Sequence, residues 1–205
     1  MGKNFKNPWA RSTSEMRDEA FSKLVENTVT NKNYSKTDGF VKLTVTNITV
    51  GWARVKSYHK PSATHFKVPL YSLRMEGYTD SGDKAYKYFN VVRFGVQCED
   101  DISPTVVGLK DAQSYYLKWV TYRGGCWQVL GDWLIHEGAS GPQRQAWGDL
   151  GCIEITGQNK WKEFQDSIFY FCRTNDPNEI ARRNLAFIEY EMVESRPPLI
   201  PIPKI

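Results

Sequence analysis

The 205-residue chain has no apolar run approaching the roughly 18 residues that a membrane-spanning helix needs. Its first residues, "MGKNFKNPWARSTSEMRDEAF", contain no hydrophobic core of a secretory signal. No run of five or six like charges occurs, and the 27 lysines and arginines are spread among 23 acids for a net charge of +4. No basic stripe or nucleic-acid-binding module is visible, so nucleic acid is not an expected partner. Cysteine is sparse as well. Cys98, Cys126, Cys152 and Cys172 lie 28, 26 and 20 positions apart with no C-x-x-C pair, which removes the usual zinc and dithiol redox motifs and leaves mostly free thiols as the expectation. No metal and no other cofactor is expected. The chain as given reads as cytoplasmic on synthesis, either remaining there or reaching the periplasm of a target cell through a machine that needs no cleavable signal.

Aromatic residues, by contrast, are abundant. They make up 14% of the chain, with seven tryptophans, and favour extended structure. "FVKLTVTNITV" alternates Val41, Leu43 and Val45 with Lys42, Thr44 and Thr46, the period of a half-buried strand. "WARVKSY", "FKVPLYSLRM", "KYFNVVRFGVQ", "YYLKWVTYR" and "WQVLGDWLIH" continue in the same manner, separated by turns such as "TDSGD". Five or six strands without a repeating helix between them predict a mainly β fold, a sandwich or barrel-like sheet, over a doubly wound one.

Three further segments complete the organisation. Ser12 and Glu15 form a capping box ahead of Met16, Ala20, Phe21, Leu24 and Val25, which predicts an N-terminal helix within a helical extension over 1–38. Trp161, Phe164, Ile168 and Phe171 recur at helical spacing, and Ala186, Ile188, Tyr190 and Met192 alternate with Glu189 and Glu191 as a late strand; both belong to a main domain over 39–195. The tail over 196–205, "RPPLIPIPKI", is expected to run extended along the surface, its prolines keeping it out of regular structure.

One stretch carries chemistry. In "LIHEGASGPQRQAWGDLGCIEI", His136 ends a strand, a glycine-bearing loop turns the chain back, and Gly151-Cys152 opens another short strand. A cysteine attacks carbonyls as its thiolate, and a neighbouring imidazole takes the proton and holds the charge. Gly151 leaves room for close approach of the main chain, and the Cys152 amide is placed to donate to a developing oxyanion. The competing reading is a structural thiol, since free cysteine is usually a small buried hydrophobe. Cys98, Cys126 and Cys172 are read that way. His59 and His65, in "SYHKPSATHF", are read as surface histidines, Trp133 as core, and Trp147 as a loop residue lining a cleft.

These residues resemble the signature of the L,D-transpeptidase (YkuD-like) catalytic domain, in which a histidine and a small-residue loop precede a Gly-Cys-Ile step; the match covers about 22 residues, Leu134 to Ile155. The resemblance implies Cys152 as the acyl-accepting nucleophile, His136 as its base, the Glu137 carbonyl as the group that orients the imidazole, and Gly151 with Cys152 as part of an oxyanion hole. The chain departs from the family at Asp149, Leu150 and Glu154, where serine, histidine and arginine are usual, and so reads as a divergent member. Glu154 is assigned to recognition of an amine on the substrate, or else to a nearby arginine. Trp147 is placed at the cleft, and Arg93, Tyr122, Arg123 and Arg144 are read as solvated or structural charges or an ordinary aromatic, with contact to the peptide or its carboxylate as the alternative.

The expected activity is cysteine-dependent acyl transfer or hydrolysis on peptidoglycan stem peptides: transpeptidation, D-amino-acid exchange or L,D-carboxypeptidase cleavage. An antibacterial effector with an immunity or delivery protein as its partner fits the same pattern. The alternative from another class is a non-catalytic β-rich module that binds glycan or protein through its aromatic surface.

Overall fold

The computed structural model describes residues 39–56, 65–97, 103–138, 145–146 and 151–202, all within the unit Tyr34–Ile205. The N-terminal helix expected from the capping box lies outside the described residues, as do His59, Cys98, Arg144, Trp147, Asp149 and Leu150.

In chain order the strands are β1 (Val41–Lys56), β2 (His65–Tyr78), β3 (Lys84–Val92), β4 (Gly95–Gln97), β5 (Thr105–Val107), β6 (Gln113–Tyr116), β7 (Lys118–Val120), β8 (Cys126–Leu130), β9 (Trp133–Glu137), β10 (Gln145–Ala146), β11 (Ile153–Ile155), β12 (Ala186–Tyr190) and β13 (Ile200–Ile202). Helices α1 (Lys160–Cys172) and α2 (Pro177–Arg183) lie between β11 and β12. The fold is mainly β, as composition and alternation predict.

The main sheet is mixed and runs β6-β12-β1-β2-β3-β11-β9-β8-β7. β1, β2 and β3 form an antiparallel meander, β12 lies parallel to β1, and β9 lies parallel to β11. The barrel-like expectation needs correction here, because β6 and β7 end the path without pairing and no closed barrel forms. Yet only Leu117, fully buried, separates these two end strands in the chain. The sheet must therefore curl until its ends meet. Its concave side holds the principal core, with Val41, Leu43, Leu73, Met75, Phe89 and Trp127 among the buried residues.

Helix α1 seals that core with the stripe read from its spacing. Phe164, Ile168 and Phe171 are buried, and Phe164 meets Phe89 edge-on with ring centroids 5.3 Å apart. Close approach depends on Gly77 in β2, where a Cβ would come within 2.5 Å of the Phe171 ring. Arg173, with φ of 56°, ends the helix in the left-handed conformation.

Several elements differ from the sequence reading. "WQVLGDWLIH" is a hairpin, β8 and β9, in which Gly131 takes φ of 53° at the turn. Met192 falls beyond the end of β12 and is 63% exposed. The proline tail enters the sheet as β13, pairing with β2 through Ile200↔Lys67, Pro201↔Phe66 and Ile202↔His65. Proline is tolerated there because an edge strand can do without one donor. His65, read as a surface residue, is buried between β1 and β13, opposite Lys56 on one side and Ile202 on the other.

A candidate cysteine and histidine site

The register places one line of neighbours across five strands: Gly51, Leu70, Val92, Glu154 and His136, from β1 to β9. In the parallel pair β9 and β11, Ile153 opposes Ile135 and Glu154 opposes His136. Side chains alternate along a strand, so Ile135, Ile153 and Ile155 enter the principal core while His136 and Glu154 share the other face. Cys152, just ahead of β11, lies diagonally from His136 on adjacent chains. Strand pairing thus sets the two segments side by side, sixteen residues apart in sequence.

His136 is buried, and its Nδ1 lies 2.7 Å from the Glu137 carbonyl. A carbonyl only accepts, so Nδ1 carries the proton and Nε2 of the neutral ring holds the lone pair. This is the tautomer that a general base needs. Cys152 is half-buried and unoxidised, and its Sγ accepts from Leu134 N at 3.4 Å and faces Asp132 O at 3.8 Å.

Gly151 has φ of 94° and is buried; a Cβ there would lie 2.6 Å from Gly108 Cα and 2.7 Å from the Trp133 ring. The room that glycine leaves on that side is filled by Gly108 and Trp133. Its packing role was not legible from the sequence, because Gly108 is 43 positions away and unmarked by any motif. Gly138 was missed for the same reason. A Cβ on Gly138 would lie 2.6 Å from Glu154 Cγ and 3.0 Å from its Oε1, so the glutamate side chain folds across it.

The other candidates scatter. Glu154 is 1% exposed, well away from the solvent-facing position that selection of a substrate amine calls for. Tyr122 is 54% exposed in a short 3-10 turn joining β7 to β8, at the His136 end of the sheet. Arg93 is fully buried, giving Nε to Leu109 O at 2.7 Å, with its guanidinium 5.4–5.8 Å from the centres of the Tyr71, Phe94 and Tyr190 rings. Desolvation pulls its pKa down, opposed by the neighbouring tyrosines and acids. That burial fits the structural-charge reading of Arg93 rather than contact with substrate. Burial also drives the Tyr190 hydroxyl well above its ordinary range; Arg93 opposes the shift and negative charge at Cys152 adds to it, so Tyr190 is the electrostatic neighbour of both.

Cys126 and Cys172 are buried free thiols, and desolvation pushes Cys172 up to about 12. Trp133 packs at the edge of the principal core, as read from the sequence. No group of three or more metal-ligating side chains occurs among the described residues. No helix among them is long and apolar enough to cross a membrane. No family model, curated protein or solved structure matches the chain.

Proposed function

We propose that this protein is a cysteine acyl-transfer enzyme of the L,D-transpeptidase kind, acting on peptidoglycan stem peptides. The observation that carries the reading is the pairing of β9 with β11, which sets His136 beside the Cys152 strand with Nδ1 tied to the Glu137 carbonyl and Nε2 as the basic nitrogen. In the reaction, Nε2 takes the thiol proton and Sγ attacks the carbonyl carbon of the amide joining an L-centre to a D-centre. Collapse of the tetrahedral intermediate breaks the C–N bond, the imidazolium gives its proton to the leaving amine, and a thioester remains. An amine then forms a new amide, or water a carboxylate, and the thiol is restored. The Cys152 amide is the proposed oxyanion donor. The reading requires Sγ to turn about χ1 from Leu134 N and Asp132 O toward Nε2, giving up the two long hydrogen bonds it makes there. Delivery into a rival cell, with an immunity protein as partner, is the wider setting proposed for this activity.

A second reading, the non-catalytic binding module, draws on β3. Tyr86 and Tyr88 are two residues apart on one face and 48% and 63% exposed, with Arg74 and Glu76 opposite them on β2. Such rings stack on sugars.

One experiment separates the two. Cys152→Ala is expected to abolish release of D-amino acid from tetrapeptide-bearing muropeptides while leaving the thermal midpoint within a few degrees of the parent. Persisting turnover in the folded variant would sink the nucleophile assignment. If the parent shows no turnover, and retention on insoluble peptidoglycan survives Cys152→Ala but is lost in Tyr86→Ala/Tyr88→Ala, the binding module is the correct reading.

A further inference from the structure

Among the described residues Glu154 is the carboxylate paired in register with His136, while the buried Cys126 thiol starts the strand on the other side. The placement of Glu154 assigns it a task distinct from substrate recognition. We propose that Glu154 is a positioning residue whose buried carboxylate favours the imidazolium form of His136, and so favours the thiolate–imidazolium state of the Cys152 pair. The proposal rests on the acyl-transfer reading of those two residues.

Three observations support it. Glu154 and His136 are direct partners in a parallel ladder, so their side chains leave the same face from chains about 4.8 Å apart. Both are buried, at 1% and 7% exposure, where a charge interacts far more strongly than at the surface. The Glu154 side chain lies over Gly138, two residues past His136; any larger residue at 138 would displace its Cγ and Oε1. Val92 and Leu70, the next residues along the same row, carry no charge. Cys152 lies two residues before Glu154, just ahead of β11.

The chemistry follows from the charges. Proton transfer from Sγ to Nε2 creates an anion and a cation from two neutral groups, which a poorly solvated site resists. A carboxylate carried by the residue paired with the histidine favours the cation and opposes that cost. The Glu137 carbonyl already fixes the ring through Nδ1, so it supplies orientation and Glu154 supplies charge. The same burial argues against selection of a substrate amine.

The test is a titration of the His136 ring by NMR in histidine-labelled protein, paired with iodoacetamide alkylation of Cys152 at pH 6, in the parent, Glu154→Gln and Glu154→Asp. Glu154→Gln is expected to move the His136 midpoint to lower pH by about one unit, a tenfold loss of imidazolium above the midpoint, and to slow alkylation by about tenfold. Glu154→Asp keeps the charge and should recover most of both. An unchanged midpoint and alkylation rate in folded Glu154→Gln would overturn the proposal. So would unchanged titration with a selective loss of turnover on substrates bearing free rather than acetylated side-chain amines. Should Glu154→Gln not fold, Glu154→Met carries the test: it keeps a side chain of similar length without the charge, and an unmoved His136 midpoint in that folded variant refutes the role. These readouts need no muropeptide. A parent that titrates as expected yet turns over no muropeptide refutes the acyl-transfer reading alone, whereas turnover with an unmoved His136 midpoint refutes only the role of Glu154.

Discussion

Gly151 illustrates how one position serves both packing and chemistry. Its φ of 94° suits glycine, and its missing side chain admits Gly108 Cα and the Trp133 ring, so alanine there meets backbone strain and steric overlap together. Strain of this kind costs about 1–3 kcal/mol, before any repacking. Gly151→Ala is therefore expected to lower the urea midpoint measurably and to slow alkylation of Cys152, because the displaced main chain carries the cysteine with it. Normal stability with normal alkylation would show that the loop yields without cost. Gly82, by comparison, has no atom within 4 Å of where its Cβ would be, and its role is limited to the turn conformation at φ of 82°.

Helix α1 and the sheet show how a sequence period becomes a packed layer. The stripe of Phe164, Ile168 and Phe171 faces the concave side, and Phe164 fills the space over Phe89. Truncating such a buried ring removes its transfer free energy and leaves a cavity, at about 3–5 kcal/mol. Phe164→Ala should reduce the unfolding free energy by that amount in urea titration, with little change for Lys162→Ala on the exposed side, whose ion pair with Asp166 is a surface one worth under about 1 kcal/mol. Equal losses at both positions would mean that the helix is not held by its apolar face. The β9 and β11 pair is stabilised differently: Ile135, Ile153 and Ile155 anchor it from the core side and thereby hold His136 and Glu154 in register on the other.

Across the whole curled sheet, several acids are buried in their protonated form. Cys172 and Tyr115 are each pushed up to about 12 by desolvation, and Tyr190 and Tyr71 also stand above their ordinary values. Their unfolded values lie near 9 for the thiol and 10 for the phenols, so between those values and the folded ones the unfolded chain has lost protons that the native protein keeps. Stability is then fully present below about pH 9 and falls as pH rises toward 12. The slope is at most about 1.4 kcal/mol per pH unit for each group. Urea midpoints measured from pH 8 to 11 should decline, and Cys172→Ala should make the decline shallower. A flat profile would mean that these groups ionise as easily folded as unfolded.

The regular strands were legible because alternation in β1 and the period of α1 are local properties, set by which face of a short segment is apolar. So were the short strands flanking the glycine-bearing loop, which the fold pairs as β9 and β11 and so brings the His136 and Cys152 segments side by side. Strand count was less legible: "WQVLGDWLIH" has strand-forming residues on both sides of Gly131-Asp132, and only the turn there divides it into two strands. The proline tail misled because β pairing of an edge strand depends on a vacancy beside β2, which lies some 130 residues away. The surroundings of the site needed the folded chain altogether. Glu154 is adjacent to His136 through parallel register, Gly108 reaches Gly151 through loop packing, and Arg93 is enclosed by rings from three separate segments. Local patterning fixes which way a side chain points, whereas its neighbours and its burial come from distant segments that only the curled sheet brings together.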